Sequence, residues 1–271
     1  MKLGIGIHHK QTENIPAYLT LVKNAGFTSV FDNCSDTSNV RRLAQWCEEC
    51  ARLGLTFENA HCSLSEVGCW NFHIWEPGAE GDEVLQFLLR DLENCHTCSV
   101  PMLVLHVDAR SYANNDFQTG KNRFETILER ADKYGIKIAI ENINCSNYLF
   151  RTLEAFPQSG VGFCYDSGHN MCATPEADYS SLFPRLFCCH LHDNHGGEPD
   201  EMMSTDEHLL PFDGIVDFPK LMKQMKEAGY TGALTVETNY EKPRYQDVLS
   251  FEEFLHEVYL RLRRLEQLFQ A

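Results

Sequence analysis

A short pattern that recurs four times constrains this chain more than any other feature: an amphipathic helix, a glycine at its end, then a short apolar strand. It reads KNAGFTSVF around Gly26, ARLGLTFEN around Gly54, DKYGIKIAIEN around Gly135 and KEAGYTGALTVET around Gly229. Glycine suits that position because a helix commonly ends on a left-handed residue, which only glycine adopts without a steric cost from Cβ. Strands apolar on both faces belong to a parallel sheet buried beneath helices, not to an antiparallel sheet with one face in water.

Eight such strands are predicted, over residues 2–8, 29–33, 55–61, 102–107, 136–141, 160–166, 186–192 and 233–237. Helical patterns fill every gap between them. Two helix starts carry capping signals: Pro175 follows the potential cap Thr174, and Ser250 stands three residues before Glu253 as a capping box. Without a linker rich in Gly, Ser or Pro, the expected architecture is one α/β domain over residues 1–271, a (β/α)8 TIM barrel. The length of 271 residues fits the about 250 such a barrel needs. A doubly wound open sheet is the alternative.

Composition removes several function classes. No apolar run approaches the roughly 18 residues of a membrane span, so no membrane partner is expected. The segment Met1 to Lys10 is broken by Gly4, Gly6, His8 and His9, which denies it the continuous middle of a secretory signal; it reads as a first strand. A cytoplasmic location is therefore expected, and the 12 cysteines read as free thiols. Cys47/Cys50 and Cys95/Cys98 have CxxC spacing, but both pairs fall in helical stretches and lie too far apart for a zinc ribbon. With 23 basic against 39 acidic residues the net charge is -16, which opposes long-range attraction to a polyanion. Nucleic acid is not the expected partner; a small molecule is. The oligomeric state is left open.

Metal-ligand residue types gather at the ends of the predicted strands: His61, His106, Glu141, Asp166, His190 or His192, and Glu237. The ends of barrel strands converge on one face, where catalytic side chains meet. A lone histidine there is ordinary, but six coincidences are not. Carboxylates buried together repel one another and raise their own pKa values unless a cation holds them, so a divalent metal ion is expected. Mixed nitrogen and oxygen donors suit Mn2+, Zn2+ or Co2+ alike. His190 and His192, two apart on one strand, point to the same side, and either could bind. The loop over residues 64–82 adds Trp70, Phe72, His73 and Trp75, a lid that packs on its own barrel or shields a sugar from water.

The segments IEN (140–142), YDSGH (165–169), HLHDN (190–194), DEHLLPFDG (206–214) and VET (236–238) resemble, in this order, the xylose-isomerase-like barrel superfamily. That superfamily includes sugar isomerases and epimerases and the endonuclease IV repair enzymes. The resemblance to the epimerases implies a metal held by Glu141, Asp166, His192 and Glu237, with His169 against the substrate. The endonuclease-like register implies a cluster of ions on His61, His106, Glu141, Asp166, His169, His190, Asp206, His208 and Glu237. One position departs from the epimerases: Glu198 stands where many carry an arginine. The implied activity is a metal-dependent isomerase or epimerase of a sugar or sugar derivative, acting through an enediolate with Glu141 and Glu237 as base and acid. The alternatives are a phosphodiesterase at abasic DNA and a keto-sugar lyase or dehydratase. A single essential ion is expected, with Asp206 and His208 ordering their loop.

Overall fold

The computed structural model describes residues 1–32, 37–63, 71–106, 115–144, 146–197 and 205–271, with residues 71 and 72 by backbone alone. Its strands are β1 (Leu3–Gly6), β2 (Ser29–Asp32), β3 (Thr56–His61), β4 (Met102–His106), β5 (Lys137–Glu141), β6 (Val161–Asp166), β7 (Leu186–His190) and β8 (Leu234–Val236). They form one parallel sheet in the order β7-β6-β5-β4-β3-β2-β1-β8. The sheet closes between β7 and β8 through a parallel bridge of Leu191 with Val236. Two hydrogen bonds flank it, Leu191 N–H to Thr235 O at 2.9 Å and Glu237 N–H to Leu191 O at 3.1 Å. This is the expected (β/α)8 barrel.

The main helices are α1 (Ile15–Ala25), α2 (Val40–Leu53), α3 (Ala79–Thr97), α4 (Phe117–Tyr134), α5 (Ser146–Ala155), α6 (Ser167–Ala173), α7 (Phe218–Glu227) and α8 (Phe251–Gln270). Gly26, Gly54 and Gly135 cap α1, α2 and α4 in the left-handed conformation, and Gly229 follows α7 at φ 77°. The four repeats that marked the fold are thus four helix-to-strand turns. Ser250 and Glu253 form the expected capping box at the start of α8.

One expectation fails, and one pair of alternatives is decided for Trp75 in favour of packing on the barrel. No α-helix starts at Pro175: Thr174 instead closes α6, and the next helical turns are the 3-10 stretch Ser180–Arg185. Asp166 caps α6 through the His169 N–H, so the local start signal that matters lies eight residues earlier than Thr174. Trp75 is fully buried, stacked on Phe117 and edge-on to Tyr148, with Gly120 leaving room for its indole. Its face is spent on the barrel's own helices α4 and α5 and is not offered to a substrate. Trp70, the Phe72 side chain and Glu198 lie outside the described residues.

The nine described cysteines are free thiols. Cys47 and Cys50 lie in α2, and Cys98 caps α3 just beyond Cys95. Among the described residues no helix is long and apolar enough to cross a membrane. The main core fills the space between sheet and helices, while Val104, Ala139, Cys164 and Cys188 form a separate apolar layer. Alternation along β4 to β7 places each of those four on the same face as the polar residue two positions on, at the strand end.

Candidate metal centre

Five strands end on a ligand type singled out in the sequence: His61 on β3, His106 on β4, Glu141 on β5, Asp166 on β6 and His190 on β7. Glu237 follows β8 directly, and His192 lies two residues past His190. Glu141 is the hub. Its carboxylate lies 3.0 Å from His61 Nε2, 3.4 Å from His106 Nε2, 3.3 Å from His169 Nδ1 and 3.2 Å from His190 Nδ1. His190 Nδ1 also lies 3.1 Å from Glu237 Oε2, which joins strands five and eight. The second group is centred on Asp166 and Asp206. His192 Nε2 is 3.0 Å from Asp166, His208 Nε2 is 3.0 Å from Asp206, and His169 Nε2 is 3.4 Å from Asp206. All ten residues singled out in the sequence therefore meet in one network.

Local chemistry explains the placement. Asn142 brackets Asp166, donating to its carbonyl and accepting from its N–H, each at 2.8 Å, so the ends of β5 and β6 are locked together. The Ser167 hydroxyl bonds both the carbonyl and the N–H of His192. Asp193 accepts from the N–H groups of Phe212 and Val216 and pairs antiparallel with Leu209. This fold-back carries Asp206 and His208 to the mouth. His208 sits in the left-handed region, φ 48°, with its ring stacked on His192 at 4.1 Å.

The electrostatics follow from burial and these pairs. Burial alone would raise the Glu141 carboxyl, but His190 and His106 hold it well below the usual carboxylate range. Asp206 is likewise kept low against burial by His208 and His169. Burial opposes charge on His190 and His208, yet Glu141 and Glu237 lift the first to about 9, and Asp206 lifts the second to about 10. His106 goes the other way, to about 4, because burial and neighbouring His61 outweigh Glu141. Protons on histidine thus hold the carboxylates together here, a task a divalent cation performs with the same atoms.

The donor set fits such an ion. His190 Nε2 and His192 Nδ1 are buried without a hydrogen-bond partner. Three groups each place one ligand atom per residue within 4.8 Å of the others: His61, His106 and Glu141; Glu141, Asp166 and His169; and His169, His192, Asp206 and His208. Beside them a cavity of about 240 Å³ is lined by His8, Lys10, His208, Glu237 and Thr238. A larger cavity, about 660 Å³, opens at the other end of the barrel where β5 and β6 begin, so size alone does not find the centre.

Sequence reasoning missed part of the mouth. His9 follows β1 and lies 2.9 Å from Asp32, which ends β2 and accepts from Thr37. The strand-end rule that found Glu141 applies equally to Asp32 and would have found it.

Comparison with known proteins agrees with this architecture. The model of the family described as "Xylose isomerase-like TIM barrel" matches residues 19–255. An uncharacterized protein of Sinorhizobium fredii is 28% identical over 94% of this chain and 90% of its own length. The structure of 3-keto-D-glucoside 4-epimerase from E. coli superposes with a TM-score of 0.72 at 16% identity, covering 97% of this chain and 99% of the other. That of the IOLI protein with a bound zinc atom gives 0.75 at 16% identity, over 100% and 98%. At these identities the two structures establish likeness of fold.

Proposed function

The chain belongs to the xylose isomerase-like TIM barrel family, and on that premise we propose that it is a divalent-metal-dependent isomerase or epimerase of a sugar or sugar derivative. One observation carries the reading: Glu141 and Glu237, from strands β5 and β8 with β6 and β7 between them, close on His190 at 3.2 and 3.1 Å. Two carboxylates facing one small space can remove a proton from one carbon and return it to a neighbour or to the opposite face. Among the structural neighbours, one is named as a keto-glucoside epimerase and another holds zinc, which supports the same direction.

In this reading Glu141, Asp166, His192 and Glu237 hold the ion, Mn2+, Zn2+ or Co2+, and His190 enters beside them. When bound, the ion polarises a carbonyl and so makes the adjacent C–H acidic. The carboxylate oxygens of Glu141 and Glu237 left free of the ion exchange the proton. His169, pushed well above its usual pKa by Asp166 and Asp206 against burial, is a charged donor for a substrate oxygen. Binding in the cavity beside Glu237 places the substrate near Thr238 and His8, whose Oγ1 and Nε2 are buried without hydrogen-bond partners. Hydroxyl groups of a sugar satisfy such atoms.

A second reading has its own observation. The His169, His192, Asp206 and His208 group lies beside the Glu141 group and offers room for a further ion, against the single-ion expectation. A mouth with several ions suits hydrolysis of a phosphoester by an activated water. Metal analysis of the purified protein, joined to solvent-deuterium exchange over a panel of keto-sugars, separates the two. Deuterium entering a keto-sugar supports the isomerase. Bound metal with no exchange on any of them, and metal-dependent cleavage of a phosphodiester, replaces it with the second reading.

A further inference from the structure

Besides His9 and Asp32, a further ligand-type side chain at the centre was not among the candidate ligands of the sequence. Cys164 lies on β6 two residues before Asp166, on the same face, and is fully buried. It belongs to the layer with Val104, Ala139 and Cys188 and pairs in register with Cys188 of β7. One ligand atom each from Glu141, Cys164 and His190 lies within 4.8 Å of the other two. His190 turns Nδ1 to Glu141 and Glu237 and keeps a second ring nitrogen, Nε2, without a hydrogen-bond partner.

We infer that Cys164 is a ligand of the ion held by Glu141 and His190, and that its sulfur biases this position toward Zn2+ or Co2+ over Mn2+. The inference rests on the metal reading above. An apolar side chain would fill the layer, as Val104 and Ala139 do on β4 and β5, but would offer no donor. A carboxylate and an imidazole accept any of the three ions, whereas a soft thiolate prefers zinc and cobalt. On coordination the S–H bond gives way to an S–metal bond, and the proton leaves to solvent.

The test is absorption spectroscopy of the Co2+-loaded full chain, with cobalt content measured on the same sample. A sulfur-to-cobalt charge-transfer band in the near ultraviolet is expected in the unaltered protein. It should vanish in Cys164→Ser and Cys164→Ala and persist in Cys188→Ser. In competition, the preference for Zn2+ over Mn2+ should fall roughly tenfold or more in Cys164→Ala. Bound cobalt without the band overturns the inference and leaves the metal reading standing, as does a band lost only in Cys188→Ser. A chain that binds Mn2+ but neither cobalt nor zinc overturns the inference alone, and one that binds none of the three fails both. The unaltered protein decides the matter even where a variant does not fold.

Discussion

The hub carboxylate Glu141 touches four histidines, so its loss is felt by every part of the mouth. Glu141→Gln is expected to lower metal affinity roughly a hundredfold or more, and Glu237→Gln to cut turnover by about 10²–10⁴. Both variants should keep the circular dichroism of the barrel. Full activity with unchanged metal content in either would remove that residue from the centre. The histidine protons set a pH dependence with a definite sign. Carboxylate neighbours lift His190 to about 9 and His208 to about 10 in the metal-free protein, so both carry protons at neutral pH, and the one on His190, beside the ligands, is the proton a metal must displace. Affinity for Zn2+ should therefore rise with pH toward about 9. Calorimetry in buffers of different ionisation enthalpy should count the released protons. For chelated protein the linkage runs in the opposite sense. Folded pKa values above the ordinary 6.5 mean the two histidines contribute stability that is full below about 6.5 and is lost progressively as pH rises from there to about 9 and about 10. Its melting temperature should fall across that interval, and a flat profile would contradict the ion pairs.

At the scale of elements, the strand-to-helix join at Gly168, where α6 follows β6 directly, is tight. A Cβ there would meet His192 Cε1 at 1.8 Å, so Gly168→Ala must push the imidazole away from Asp166. We expect a loss of about 1–3 kcal/mol in chemical denaturation together with lowered metal content. Trp75→Ala, by contrast, should cost about 3–5 kcal/mol of stability and spare the metal, because its indole fills the core against α4 and α5. The contrast between these residues shows what the sequence makes legible. Glycines that end helices and ligand types that end strands are local signals with fixed offsets, and both placed their residues at the right ends of the right elements. Trp75 carries no such signal: an aromatic in a connecting segment packs inward or outward according to partners 42 and 73 residues away, Phe117 and Tyr148. Thr174-Pro175 misleads for a related reason. The start signal is sound locally, but Asp166 had already capped a helix whose end Thr174 supplies. Asp206 and His208 were visible only through the family resemblance, because a fold-back held by Asp193 brings them to the mouth.

For the whole molecule, the net charge of -16 bears on the choice between the two readings. Binding to a phosphate backbone draws its affinity from released counterions, and an acidic surface forfeits that term. No binding to duplex DNA at physiological salt and no nick at an abasic site is expected in a gel assay; a metal-dependent nick would promote the phosphoester reading. The way the barrel closes has a further consequence. Between β7 and β8 the ladder shrinks to the Leu191 bridge and its two flanking bonds, while β4 and β5 pair over five residues. His190 and His192 stand on one lip of that seam and Glu237 on the other. An ion gripped from both lips is a rivet across the place where the cylinder opens most easily, so its free energy is spent against one local breathing motion. Loading the metal should slow hydrogen exchange at the Leu191 and Glu237 amides far more than at the amides of β5, which a full ladder already shuts.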